Sequence, residues 1–198
     1  MKKVLSLLAA GILMLGCIIP SFPATETTPS SPGSISNTGA SADCSSLKIT
    51  DEEVLSTRQY IGNVLSNGDW INDYYTVTPT NVTVDYASTG LHARIQVFTS
   101  VLCSANTVLK NYITETNFDF LFRGYDGYSI TDSCEKDGIL FYQFSATSQG
   151  STFTINSWTR PLEDGNHFML LSASFPESDA QNLNFYSEAF YPNFTSCN

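Results

Sequence analysis

HFMLLSASFPESDAQNLNFYSEAF, residues 167–190, decides how the rest of the chain reads. His167 to Phe175 is an apolar run of strand length, and Pro176 ends it because proline has no N–H to give a ladder. Ser178-Asp179-Ala180-Gln181 then has capping-box spacing, with a hydroxyl and an amide placed to satisfy each other's free backbone donors. Leu183, Tyr186 and Phe190 follow on one face of a helix. A strand, a corner and an amphipathic helix predict a sheet with a helix laid over it.

Upstream of this unit, three more strand patterns cover about 125–132, 139–147 and 152–160. Their connections hold EKDG, SQGS and PLEDGN, turn chemistry suited to antiparallel hairpins. Residues 105–116 place Val108, Leu109, Tyr112 and Ile113 at helical spacing. Before them, Val82, Val84 and Tyr86 alternate with polar residues. After the turn STG, Leu91, Ala93, Ile95 and Val97 alternate with His92, Arg94 and Gln96. That pattern predicts a hairpin with one buried and one wet face. The domain opens with Thr50-Asp51-Glu52-Glu53, a second capping box, ahead of an apolar stripe from Val54 to Leu65. The expected order is helix, two strands, helix, four strands, helix. The fold class is α+β, a mainly antiparallel six-stranded sheet with covering helices.

Over roughly residues 74–192 this order resembles the PsbP-like fold, the closest echo being the strand, Phe175-Pro176 corner and capped helix of residues 167–190. The resemblance implies that architecture and a kinship with small bacterial lipoproteins, and it brings no catalytic residues with it. The opening helix followed by LSNGDW is similar instead to the NTF2-like cone, which stands as the alternative architecture.

The N-terminus reads as an address. Lys2 and Lys3 precede an uncharged run from Val4 to Ile19, shorter than the roughly 18–20 residues that span a bilayer and typical of an export signal. Met14-Leu15-Gly16-Cys17 resembles a bacterial lipobox, so residues 1–17 are expected to be a lipoprotein signal with Cys17 as the lipid attachment site. Simple cleavage is the alternative, although Phe22 spoils the nearest small-residue site. Residues 18–46 are rich in Ser, Thr, Pro and Gly and read as a flexible tether. Residues 47–198 then form one globular domain.

Nineteen acidic residues against nine basic ones, a formal net charge of −10, argue against nucleic acid as a partner. The same charge leaves the N-terminal lipid as the expected route to a membrane. Beyond Cys17 there are four cysteines, Cys44, Cys103, Cys134 and Cys197. An even number in an exported chain predicts two disulfides out of three connectivities. Cys44 and Cys197 bracket the domain, which favours Cys44–Cys197 with Cys103–Cys134.

Catalytic and nucleotide-binding motifs are missing from the sequence, and no cofactor or metal is expected. His92 and His167 read as ordinary strand or surface positions, while Asp132, Glu135 and Asp137 read as a solvated hairpin. Aromatic residues make up 13% of the chain. Trp70 and Trp158 are the candidate ligand contacts, since an indole beside polar groups suits stacking on a ligand. The expected function is non-catalytic binding of a protein or small ligand at the cell surface. An exported hydrolase using carboxylates and a carbohydrate-binding module are the alternatives.

Overall fold

The computed structural model describes residues 44–62, 65, 69–113, 118, 121–122 and 124–198. Cys17, the expected signal and nearly all of the expected tether lie outside them. Seven strands form one sheet: β1 (Trp70–Val77), β2 (Asn81–Ser88), β3 (Ala93–Val101), β4 (Gly127–Lys136), β5 (Ile139–Ser148), β6 (Ser151–Pro161) and β7 (His167–Pro176). Their spatial order is β1-β2-β3-β7-β6-β5-β4, every neighbouring pair being antiparallel. Among the described residues three helices accompany them, α1 (Asp51–Gln59), α2 (Ala105–Tyr112) and α3 (Ala180–Phe190).

The sheet is therefore two meanders, β1–β3 and β4–β7, joined where β3 pairs with β7. In the second meander, the β4–β5 and β5–β6 turns put Asp137-Gly138 and Gln149-Gly150 at positive φ. That backbone matches strand twist and suits glycine at the second position. The strand missing from the sequence reading is β1. Its alternation is interrupted at Asn72-Asp73, where the β1–β2 register shifts through a bulge, and most of its side chains are exposed.

Both faces of the central strand are covered, which is why residues 167–175 read as an unbroken apolar run. Met169, Leu171, Ala173 and Phe175 pack on the first face with Ile95, Val97, Trp158, Leu183 and Tyr186. On this side α1 lies against β2 and β3, and α3 against β6 and β7. Phe168 and Leu170 pack on the second face with Leu109, Ile113, Phe118 and Phe144 beneath α2. The helix α1 starts as expected: Thr50 Oγ1 accepts from the Glu53 amide at 3.2 Å, and Glu53 Oε2 accepts from the Thr50 amide at 2.8 Å. The capping box expected at Ser178 does not form. Glu177–Asp179 is a 3-10 turn instead, and the Asp179 carboxylate binds Asn182 Nδ2.

All four domain cysteines are in disulfides, but the pairs are Cys44–Cys103 and Cys134–Cys197. The expected pairing fails because the chain ends do not meet. Cys44 is tied to the residues that follow β3, whereas the C-terminal tail crosses the first face to the edge strand β4. The Cys44 bond also draws residues 44–46, expected in the tether, into the folded unit. Two such bonds are the mark of an oxidising, extracytoplasmic compartment.

Candidate functional site: a groove with an unsatisfied floor

The two expected ligand contacts are core residues. Trp158 is 0% exposed, and its Nε1 donates to the Phe194 carbonyl at 2.8 Å. Alternation did place it opposite Phe153 and Ile155, but both faces of β6 are covered. Trp70 is half-buried; its Nε1 donates to the Tyr186 hydroxyl at 2.9 Å and its ring meets Phe175 and Tyr186 edge-on. Neither indole offers a flat platform for a sugar.

A different surface stands open. Strand register lines up one polar row across the second face. Tyr74 pairs with Asp85, Asp85 with Gln96, Gln96 with Ser172, and Ser172 with Ser157. The buried cluster of this face takes none of its buried residues from β1, β2 or β3, so the row's first half floors a groove. One lobe, about 570 Å³, is lined by Tyr74, Thr83, Asp85, Gln96 and Phe98, with Leu121 above. A second lobe, about 430 Å³, holds His92, Tyr125 and Ser174. Arg94 borders both, and also a small cavity between them lined by Leu121, Tyr125 and Ser172.

The floor is short of hydrogen-bond partners. Asp85 is 5% exposed. Gln96 is its cross-strand neighbour, and Asp85 Oδ1 and Gln96 Oε1 are buried with no partner among the described residues, as is Ser157 Oγ farther along the row. Burial pushes the Asp85 carboxyl above its ordinary range. The Gln96 amide and the Arg94 charge oppose this, while Asp73 reinforces it. Arg94 projects from β3 and its Nη2 donates to Asp73 Oδ2 at 2.9 Å. Asp73 sits at the β1 bulge, which turns its carboxylate to this face. At the second lobe the Tyr125 hydroxyl shares a 2.8 Å hydrogen bond with Ser174, and burial pushes the phenol's pKa up.

His92 is the surface residue expected, whereas His167 departs from its expected setting. His92 lies in the β2–β3 turn at φ 50°, just before β3, and reaches the second lobe, whose lining has no carboxylate among the described residues. His167, the first residue of β7, is 4% exposed. Its Nδ1 meets Asp164 Oδ2 closely and Glu53 Oε1 at 3.1 Å, and its Nε2 meets the Lys48 carbonyl at 3.2 Å. Every one of these partners accepts, so a ring protonated on both nitrogens satisfies them all. The three facing atoms of Glu53, Asp164 and His167 lie within 4.8 Å of one another, the donor set that a cation would need. A proton on Nδ1 fills the same role. No serine is within this trio, and Nε2 is taken by backbone, so it is not assembled as a nucleophile-activating triad. The trio fastens the chain ahead of α1 to the β6–β7 hairpin. Asp132, Glu135 and Asp137 spread over β4 and its turn, where Glu135 pairs with Lys110 at 3.3 Å.

The chain matches no family model and no curated protein. The groove's own chemistry therefore carries the functional reading. Asp85 and Gln96 escaped the sequence reading because an alternating strand marks its polar face as wet. Gln96 and Arg94 do lie on that face, but only the β3–β7 pairing and the residues near 121–125 turn it into a groove.

Proposed function

We propose that this protein is an extracytoplasmic lipoprotein, anchored through Cys17 and held off the membrane by residues 18–43, whose domain binds a small polar ligand without transforming it. The observation that carries this is the pair of buried, unpartnered acceptors Asp85 Oδ1 and Gln96 Oε1 on the floor of an open groove. Leaving such atoms without a partner costs about 1–3 kcal/mol each. A ligand's N–H or O–H groups offset that cost on binding. The PsbP-like resemblance and the disulfides agree with this setting, and the acidic surface disfavours nucleic acid. The alternative of a carboxylate hydrolase is the weaker one. Asp85 is the only carboxylate on the larger lobe's lining among the described residues, and a hydrolase of that kind needs two flanking the bond.

The test is to pass a small-molecule extract of the producing cells and their medium over the immobilised mature protein and identify what is retained by mass spectrometry. Wild type retains a compound that Asp85→Leu releases. Equal retention by both proteins removes the groove from the function. The intact mass of protein purified from native membranes checks the anchor, which requires a diacylglyceryl increment on a chain beginning at Cys17.

A further inference from the structure

We infer that the groove's ligand is a small zwitterion of the α-amino acid type, with its ammonium on Asp85 and Gln96 and its carboxylate on Arg94. This rests on the binding function proposed above and names its ligand class.

The floor asks for donors and the rim offers them. Asp85 and Gln96 occupy paired positions of β2 and β3, and Asp85 Oδ1 and Gln96 Oε1 are buried acceptors without partners among the described residues. An ammonium group supplies three N–H donors and a positive charge. It therefore fills two acceptors at once and compensates a carboxylate that burial has cut off from water. A neutral polyol supplies the hydrogen bonds but leaves the charge uncompensated. A simple amine satisfies the floor and leaves the rim unused.

The rim is Arg94. It stands two residues before Gln96 on the same face of β3, about 7 Å along the strand. One amino-carboxylate unit with a hydrogen bond of about 2.9 Å at either end spans about 9 Å, a reach that the long Arg94 side chain can meet from that position. The guanidinium presents five N–H donors in a plane, of which the structure commits one to Asp73. The Asp73 pair is solvent-exposed at both ends, and exposed pairs of this kind hold weakly. A ligand carboxylate can share or replace it with bidentate geometry. Phe98, Leu121 and the ring of Tyr74 line the same lobe, which favours an apolar or aromatic side chain on the amino acid.

Isothermal titration of the intact mature protein with four probes tests this: L-phenylalanine, 2-phenylethylamine, 3-phenylpropanoate and glucose. Phenylalanine is expected to bind at least tenfold more tightly than either of its one-group analogues, with glucose showing no heat. Asp85→Asn should erase the advantage over 3-phenylpropanoate. Arg94→Gln should erase the advantage over 2-phenylethylamine. Far-ultraviolet circular dichroism of both variants confirms that the fold persists. Equal binding of phenylalanine and phenylethylamine, or binding of glucose alone, overturns the zwitterion while leaving a binding groove in place. No binding by any of the four overturns it too, and the extract experiment then decides separately whether the groove binds anything.

Discussion

Two acidic sites on this sheet are built on opposite plans. Around His167, two carboxylates, a backbone carbonyl and an imidazole meet so that each facing polar atom has a partner. Around Asp85, a carboxylate and an amide sit side by side and leave two acceptors bare among the described residues. Each has one buried residue at its centre, His167 or Asp85, although Asp164 is exposed. Saturation is what separates them. A saturated cluster stabilises the fold, whereas an unsaturated one beside open space costs stability and is tolerated where something else completes it.

The contrast can be broken most severely at the saturated site. His167→Leu leaves the Glu53 and Asp164 carboxylates facing each other without the imidazole between them, and a loss of about 2–4 kcal/mol is expected in urea unfolding. A loss under 1 kcal/mol would mean that the trio holds nothing together. The same site sets an acid limb. Burial raises the Asp164 carboxyl, but hydrogen bonds from the His167 ring and from the amides of Asn166 and His167 outweigh it and leave the carboxyl below its ordinary 3.8. A lowered acid contributes stability above 3.8 and loses it as pH falls through the folded value. The wild-type advantage over Asp164→Asn should therefore hold above 3.8 and fade as the pH drops below it.

Opening the Cys44–Cys103 bond, by replacing both residues with serine, attacks the same region from its covalent side. It frees the segment carrying Lys48 and Glu53 and should cost about 2–4 kcal/mol, read as a lower urea midpoint. If the two disulfides contribute alike, Cys134→Ser with Cys197→Ser matches it. A larger loss from the first pair shows that the bond also supports the trio.

The unsaturated site predicts the opposite sign. Asp85→Asn removes a buried charge and brings an amide that can donate to Gln96, so stability at pH 7 should rise by about 1–3 kcal/mol. The Asp85 carboxyl is raised, so between 3.8 and its folded value the native chain holds the extra proton and wild-type stability falls as pH rises. The gain from Asn should accordingly shrink on acidification, which melting at pH 7 and pH 4 will show. The smallest effect belongs to Arg94→Gln, below about 1 kcal/mol because its pair with Asp73 is exposed. A large loss there would make Arg94 a structural residue and weaken its place at the groove.

Much of this architecture is legible in the chain. The strand and helix of residues 167–190 are where their pattern puts them, and so are the capped start of α1 and the hairpins with Gly138 and Gly150. What stayed hidden depends on contacts distant in sequence. The strand β1 lies at an edge, with a bulge at Asp73, so it lacks the alternation that a half-buried strand shows. The disulfide pairing follows from where the C-terminal tail crosses the first face, which no spacing encodes. Trp158 reads as an outward residue until both faces of β6 are seen to be covered. The groove was invisible for a plainer reason: polar side chains on a wet face look alike whether they meet bulk water or a cleft.

The seam between the two meanders sets an order in time. Arg94 pairs with Ser174 and Val101 with His167, so β3 gains its second neighbour only after the last strand has been made. Until then the first meander lacks the pairing and the first-face core that depend on β7, and long-range pairings of this kind close slowly. Cys197 lies beyond β7, so the Cys134–Cys197 bond can close only after every strand of the sheet has been made.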